Sequence, residues 1–361
     1  MHALRILAAL ALLLLSVLAV PVTNTTQYLD PALYRSTVTT RGLKYQYYYA
    51  PAVDASKPTL LLCHGYPSFS QDWRRIAPQL EAKGYGVLAV DMLGYHGTAR
   101  PLDPHLYLLS RIAQDLVDVL DAEKLDRVVA VGHDWGSAAV SRLSNYHPDR
   151  FLAYAFFAVQ YLPVEPPANF TEVLAAQMAQ FGYELYGYWF FYVEKDANAI
   201  LQEHMDSFVS IIYPYDPIYW ETRLAPLGAL KKNLLANFLA PHPAYISEPE
   251  IEYFKAYYRA NGFDAPDAWY KIMTSNLAAL DDEQIPAERQ FPPASAPVFY
   301  GGVKQDRICL FENALAVFDG PGFAGHNVTI KEYDSDHWVI LSHADDIVSD
   351  LDAWLQDAGL A

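Results

Sequence analysis

The stretch Val128-Val129-Ala130-Val131-Gly132-His133-Asp134-Trp135-Gly136-Ser137 constrains the fold more than any other part of this chain. Its apolar, β-branched run reads as a buried strand. The small residues two before and two after Asp134 permit a turn too tight for bulky neighbours, and such a turn presents its central side chain at the strand's C-terminal end. The same rhythm extends on both sides. Short apolar runs at Thr59–Cys63 and Val87–Asp91 alternate with helix-length segments near Trp73–Lys83, closed by Gly84, and Leu106–Leu120. A further strand is expected near Leu152–Phe157, and the pattern resumes with Val298–Gly301, Val328–Tyr333 and a last helix near Asp345–Asp357. This alternation predicts an α/β fold, a mostly parallel sheet with crossover helices. Tyrosine- and threonine-rich stretches around Ser36–Thr39 and Leu43–Ala50 suggest an antiparallel edge hairpin.

Between residues 161 and 287 prolines, tryptophans and tyrosines displace that rhythm, which points to an inserted helical cap. The expected organisation is a leader over 1–19, a core in two parts, 20–160 and 288–361, and a cap over 161–287. The leader carries an apolar run from Ile6 to Val20 with small residues near a cleavage point, the pattern of a signal peptide and hence of secretion. An uncleaved segment would instead hold the protein at a membrane, the only membrane contact expected. Asn-x-Ser/Thr sequons at Asn24, Asn169 and Asn327 suit a glycoprotein on that route.

A formal net charge of −17 and the lack of a basic run argue against a nucleic-acid partner. With apolar residues at 52% and 27 tyrosines, the chain can bury a large core and still line a cavity for an apolar small molecule. Cys63 and Cys309 are the only cysteines; Cys63 ends one expected strand and Cys309 follows another that is not its neighbour, so both are expected as buried, unbridged thiols. No metal or organic cofactor is implied.

The chemistry gathers at four places. Asp134 is a carboxylate at a nucleophile's position; it suits displacement at saturated carbon with formation of an ester, unlike a serine, which attacks carbonyl carbon. The helix after it helps keep it ionised. In His64-Gly65-Tyr66-Pro67, the Tyr66 N–H is expected to join that of Trp135 in an oxyanion hole. Asp306 follows one late strand and His337 the next; this order of nucleophile, acid and histidine is that of hydrolase sites, with the acid fixing the imidazole so that it can deprotonate water. Asp334 and Asp336 flank His337 and compete as its partner, but adjacent residues rarely aim at each other, so Asp306 is preferred.

With Gly132-His133-Asp134-Trp135-Gly136, His64-Gly65-Tyr66-Pro67 and Asp334-Ser335-Asp336-His337-Trp338 together, the chain from about Thr37 onward resembles the epoxide hydrolases of the α/β-hydrolase superfamily. The resemblance implies that an apolar epoxide and water are the substrates and that two cap tyrosines bind the epoxide oxygen. Phe181-Gly182-Tyr183-Glu184-Leu185-Tyr186 and the segment from Gly262 to Tyr270 are similar to the family's two tyrosine motifs, which selects Tyr183 and Tyr270. Tyr186 and Tyr188 lie close enough to replace Tyr183 with a small shift of the cap. Two departures stand out: Asp91-Met92-Leu93-Gly94-Tyr95-His96-Gly97 lacks the arginine usual in this family, and Asp336 stands where a glycine commonly precedes the histidine. The extra carboxylate is expected to favour the imidazolium form of His337.

The nearest alternative is a haloalkane dehalogenase with the same Asp nucleophile, but such enzymes need halide-binding N–H donors, commonly a second tryptophan or an asparagine after the His-Gly pair, and Tyr66 occupies that place here. A fluoroacetate-type enzyme would call for arginine where Trp135 stands. A third reading, a hydrolase-fold binding protein without catalysis, usually lacks a member of the triad, and all three positions are filled here.

Overall fold

Eight strands form one sheet among residues 28–361, the part of the chain that the computed structural model describes. The expected leader over 1–19 and the sequon at Asn24 lie outside the described residues. β1 (Tyr34–Val38) and β2 (Lys44–Ala50) make the antiparallel edge, followed in space by β4 (Gly86–Val90), β3 (Thr59–Cys63), β5 (Val128–His133), β6 (Phe151–Phe157), β7 (Val298–Val303) and β8 (Val328–Tyr333). From β4 to β8 every pairing is parallel. β3, β4 and β5 are buried at every position, which is why they read as continuous apolar runs rather than alternating ones.

The connections carry α1 (Ala77–Ala82), α2 (Leu109–Ala122) and α3 (Trp135–Tyr146). α2 buries Leu109, Ile112, Ala113, Leu116 and Leu120, the spacing of a helix with one face on the sheet. α1 is shorter than the expected Trp73–Lys83: residues Ser70–Trp73 form a 3-10 turn, and the helix starts only at Ala77, where Pro78 fits the first turn because its missing N–H has no intrahelical acceptor there.

Between β6 and β7 the chain is helical: α4 (Phe170–Phe181), α5 (Tyr188–Tyr192), α6 (Ala197–Glu203), α7 (Met205–Ile212), α8 (Ala229–Leu235), α9 (Glu248–Asn261), α10 (Ala268–Thr274) and α11 (Leu277–Asp282). Ion pairs buried at its contacts fix this insert to the core. Arg142 on α3 donates to Asp282 from Nε at 2.7 Å and from Nη2 at 2.5 Å. Glu250, which accepts from the Ser247 N–H at the start of α9, also accepts from Arg74 Nε at 2.7 Å. After β7 come α12 (Phe311–Phe318), α13 (Val339–Ser342) and α14 (Ala344–Asp357).

The loop that lacks an arginine is held by other groups. Asp91 accepts from the Ser70 N–H and from Gln46 Nε2, Thr98 Oγ1 donates to the Asp91 carbonyl, and His96 Nδ1 lies 3.4 Å from Asp91 Oδ2.

Candidate active site

β5 ends in a turn that places Asp134 at φ 53°, ψ −126°, a strained region for a residue with a Cβ. Three glycines make the turn possible. A Cβ on Gly132 would meet the Gly136 carbonyl carbon at 2.6 Å, one on Gly136 would meet the Cys63 carbonyl oxygen at 2.0 Å, and one on Gly65 would lie 2.2 Å from Asp134 Oδ1. The small-x-acid-x-small pattern is therefore a consequence of contact with β3 and with the helix start.

The loop after β3 supplies a donor to this carboxylate: the Tyr66 N–H donates to Asp134 Oδ1 at 2.7 Å. His64 holds the loop in place, its Nδ1 donating to the Gly65 carbonyl and its Nε2 accepting from the Met92 N–H. Both rings of this pattern in the interior, His64 and His133, are pushed down to about 4 by burial and stay neutral. The Trp135 N–H opens α3 and so has no intrahelical acceptor, which leaves it available beside Asp134.

His337 joins the group from the loop after β8. Its Nδ1 donates to Asp306 Oδ2 at 2.6 Å, and its Nε2 lies 3.5 Å from Asp134 Oδ2. Asp306 Oδ1 accepts from the Ile308 and Cys309 N–H groups at 2.8 and 3.0 Å, so both carboxylate oxygens are occupied and the side chain is fixed. Burial alone would depress the His337 imidazole, but the charges and hydrogen bonds of Asp306 and Asp134 raise it well above its ordinary value. Burial likewise opposes ionisation of Asp134, and is outweighed by His337 and the Tyr66 N–H, which hold the carboxyl below the usual range. Both shifts favour an Asp134 carboxylate facing a His337 imidazolium.

Asp336 turns away from this pair. Its Oδ2 accepts from the Tyr245 hydroxyl at 2.7 Å and its Oδ1 from the Trp338 N–H at 2.9 Å, while burial raises the carboxyl to about 6. Asp334 accepts from Gln305 Nε2. Neither competes with Asp306. Trp338 Nε1 donates to the Ile212 carbonyl of α7 at 2.7 Å, and the ring of Trp220 lies 4.9 Å from that of His337, so the cap braces the histidine.

Asp134 opens into a cavity of about 230 Å³ whose walls include Trp135, Leu162, Tyr188, Trp189 and Ile308. Gln160 and Asn313 add neutral amides, and among the described residues no basic side chain lines it. Tyr270 is buried with its ring edge-on to Trp135 at 5.3 Å and 5.8 Å from Tyr188. Burial raises both phenols well above their ordinary value, and the Asp134 charge adds to the shift in each.

Tyr183 sits elsewhere. Its hydroxyl donates to the Arg307 carbonyl at 2.7 Å, and it does not line the cavity. α4 ends at Gly182 in a left-handed conformation, which diverts the chain before Tyr183; the two neighbouring candidates, Tyr186 and Tyr188, both line the cavity, and Tyr188, at the start of α5, is the one that packs on Tyr270. Cys309 also differs from expectation. Cys63 is buried and unbridged, whereas Cys309 is only half-buried, unbridged, and part of the cavity wall beside His337. Nothing in its local sequence marks that position; the N–H that anchors Asp306 draws its side chain there.

Known proteins resemble this chain in sequence and in fold. The model of the α/β hydrolase fold matches residues 58–207. Epoxide hydrolase 3 of Siraitia grosvenorii is 28% identical over 306 residues, covering 80% of this chain and 92% of that protein. The chain thus shares the α/β hydrolase fold and is similar in sequence to epoxide hydrolases. Bifunctional epoxide hydrolase 2 of Sus scrofa is 30% identical over 228 residues, 61% of this chain, and the match spans only 39% of that longer protein. Among solved structures, an epoxide hydrolase from an endophytic Streptomyces superposes with a TM-score of 0.75 at 23% identity, covering 92% of this chain and 96% of the other. A Vigna radiata epoxide hydrolase variant gives 0.73 at 22% identity, covering 90% and 98%. At these identities the structural likeness speaks for the fold.

Proposed function

We propose that this protein hydrolyses apolar epoxides to vicinal diols through an ester on Asp134. The observation that carries the reading is the gathering of three groups at one cavity: Asp134 in its wall, a histidine fixed by Asp306 and 3.5 Å from Asp134, and two cap phenols, Tyr188 in the wall and Tyr270 packed on Tyr188 and Trp135. An Asp134 oxygen attacks an epoxide carbon, the ring C–O bond breaks, and the departing oxygen takes a proton or hydrogen bond from the phenols. Tyr188 takes the part that the motif suggested for Tyr183.

Esterification removes the negative charge of Asp134. One of the two carboxylates that hold His337 protonated is then gone, so its affinity for a proton falls; the proton it releases replaces the one the phenols gave to the departing oxygen, and His337 becomes a competent base. Water gives a proton to Nε2 and adds to the Asp134 carboxyl carbon; the oxyanion rests on the Tyr66 and Trp135 N–H groups. The bond from that carbon to the alkyl oxygen breaks, and the diol leaves with a proton returned through His337. The apolar walls and the absence of a basic residue favour a neutral, apolar epoxide over one bearing a carboxylate.

The proposed location is the secretory route, for which the exposed side chains of Asn169 and Asn327 offer accessible sequons. Among the described residues no helix is long and apolar enough to cross a membrane.

The test is single-turnover reaction of a His337→Gln protein with a chromogenic aryl epoxide, followed by intact-mass and peptide analysis. A gain of the full epoxide mass on Asp134 is expected. An alkyl adduct from haloalkanes with halide release, and none from epoxides, would establish a dehalogenase instead; no adduct from either, in a folded protein, would favour a binding protein.

A further inference from the structure

Tyr66 presents two functional ends. Its N–H donates to Asp134 Oδ1 at 2.7 Å, and its hydroxyl, on the far side of a ring that is 3% exposed, donates to Asp267 Oδ1 at 3.0 Å. Asp267 is itself 2% exposed and occupies the residue before α10, where an aspartate ordinarily caps the helix by accepting from its first N–H groups. Here the side chain makes no cap bond and turns to Tyr66. Burial pushes the carboxyl well above its usual range, and the Tyr66 hydrogen bond opposes that shift without reversing it. An acid buried at this expense, with one protein partner, calls for an account that helix capping does not give.

The surroundings supply one. The Asp267 carbonyl accepts from the Tyr270 N–H at 3.1 Å, so the residue that holds the Tyr66 hydroxyl also begins the turn that carries Tyr270. The rings of Tyr66 and Tyr270 meet edge-on at 4.9 Å, and Tyr192 packs on both at 4.7 Å. The oxyanion loop and the cap helix are therefore linked at one point through a hydrogen bond and an aromatic cluster.

We propose, on the reading of the reaction given above, that Asp267 is a positioning residue for ester hydrolysis, setting the place of the Tyr66 N–H through the Tyr66 hydroxyl. The two chemical steps make opposite demands on that N–H. During ring opening the carboxylate loses charge, so a donor on Oδ1 gives nothing to the transition state relative to the ground state. During ester hydrolysis the same oxygen gains charge, and a donor displaced by a few tenths of an ångström stabilises it less. Loss of the Asp267 contact thus slows the second step and spares the first.

The experiment follows both steps in the full chain by rapid quench and intact mass with the aryl epoxide, for the parent, Asp267→Leu, Asp267→Asn, Tyr66→Phe and the double variant Tyr66→Phe/Asp267→Leu. Asp267→Leu is expected to form the ester within about 3-fold of the parent rate and to hydrolyse it ~10- to 100-fold more slowly, below the cost of deleting an oxyanion donor outright. Asp267→Asn, which keeps an acceptor for the hydroxyl, should recover hydrolysis to within about 3-fold. Tyr66→Phe should reproduce the Leu defect, and the double variant should be no worse than either single one, since both break the same contact. Equal loss in both steps, unchanged hydrolysis in Asp267→Leu, no recovery with Asn, or additive defects would each overturn the proposal. If Asp267→Leu does not fold, the comparison of Tyr66→Phe with Asp267→Asn decides it by the same criteria. A parent protein that forms no ester from the epoxide would instead refute the underlying reading.

Discussion

Replacing Asp306 by asparagine inverts the imidazole it holds. Oδ1 of Asp306 accepts two backbone N–H groups, from Ile308 and Cys309, so an asparagine there must keep its carbonyl oxygen on that side to avoid opposing two donors with a third. Its NH₂ then faces His337 Nδ1, which in the parent donates at 2.6 Å. Nδ1 is forced to accept, the proton moves to Nε2, and the nitrogen that should take a proton from water already carries one. Both the charge that stabilises the imidazolium and the correct tautomer are lost, which in comparable acid–histidine pairs costs about 10⁴-fold, or about 5 kcal/mol of transition-state stabilisation. Ring opening asks nothing of that tautomer, because Asp134 attacks as a free carboxylate. Asp306→Asn should therefore form the ester within about 10-fold of the parent rate and hydrolyse it ~10³- to 10⁴-fold more slowly. Rapid-quench kinetics with mass detection would show the ester as the dominant enzyme form in steady state. A fall in ester formation as large as the fall in hydrolysis, or hydrolysis within 10-fold of the parent, would refute the reasoning.

Other expectations follow from the same geometry. Tyr188→Phe should slow ester formation by about 10²-fold, the usual contribution of a positioned acid, while Tyr183→Phe, which loses only a bond to the Arg307 carbonyl, should react within about 2-fold of the parent; stopped-flow rates with the aryl epoxide distinguish them. Asp336 titrates near 6 in the folded chain and near 3.8 unfolded, so the unfolded state releases its proton first and stability falls as pH rises from about 4 to 6. Asp336→Asn should remove that fall, gaining on the order of 1–3 kcal/mol relative to the parent at pH 8 compared with pH 4, measured by urea unfolding. Arg142→Met leaves Asp282 buried without its partner and should cost about 3–5 kcal/mol in the same assay, with Arg142→Met/Asp282→Leu recovering most of it.

What the sequence made legible was what local stereochemistry dictates. Gly132 and Gly136 flank Asp134 because a Cβ at either would strike backbone, and that constraint is visible in any strand followed by such a turn. Asp306 and His337 could be read from chain order because each follows a strand of a parallel sheet, whose ends lie along one edge. The cap was less legible. Tyr183 and Tyr188 are five residues apart, and the choice between them depends on how the chain leaves α4 at Gly182 and enters α5, which the many aromatic residues of the cap do not specify locally. The expected influence of Asp336 on His337 fails for a similar reason: its side chain is drawn to Tyr245, 91 residues away, and to the Trp338 N–H. Cys309 and Asp267 take their surroundings from contacts between the cap, the core and the oxyanion loop, and no motif around either announces them.

The most direct test of the central claim is a single turnover of the parent protein, in excess over epoxide, in ¹⁸O-labelled water. Attack of water on the ester predicts ¹⁸O in the side chain of Asp134, found in the peptide that contains it, and an unlabelled diol. A labelled diol with Asp134 unlabelled would mean that water opens the ring directly, and would contradict the account.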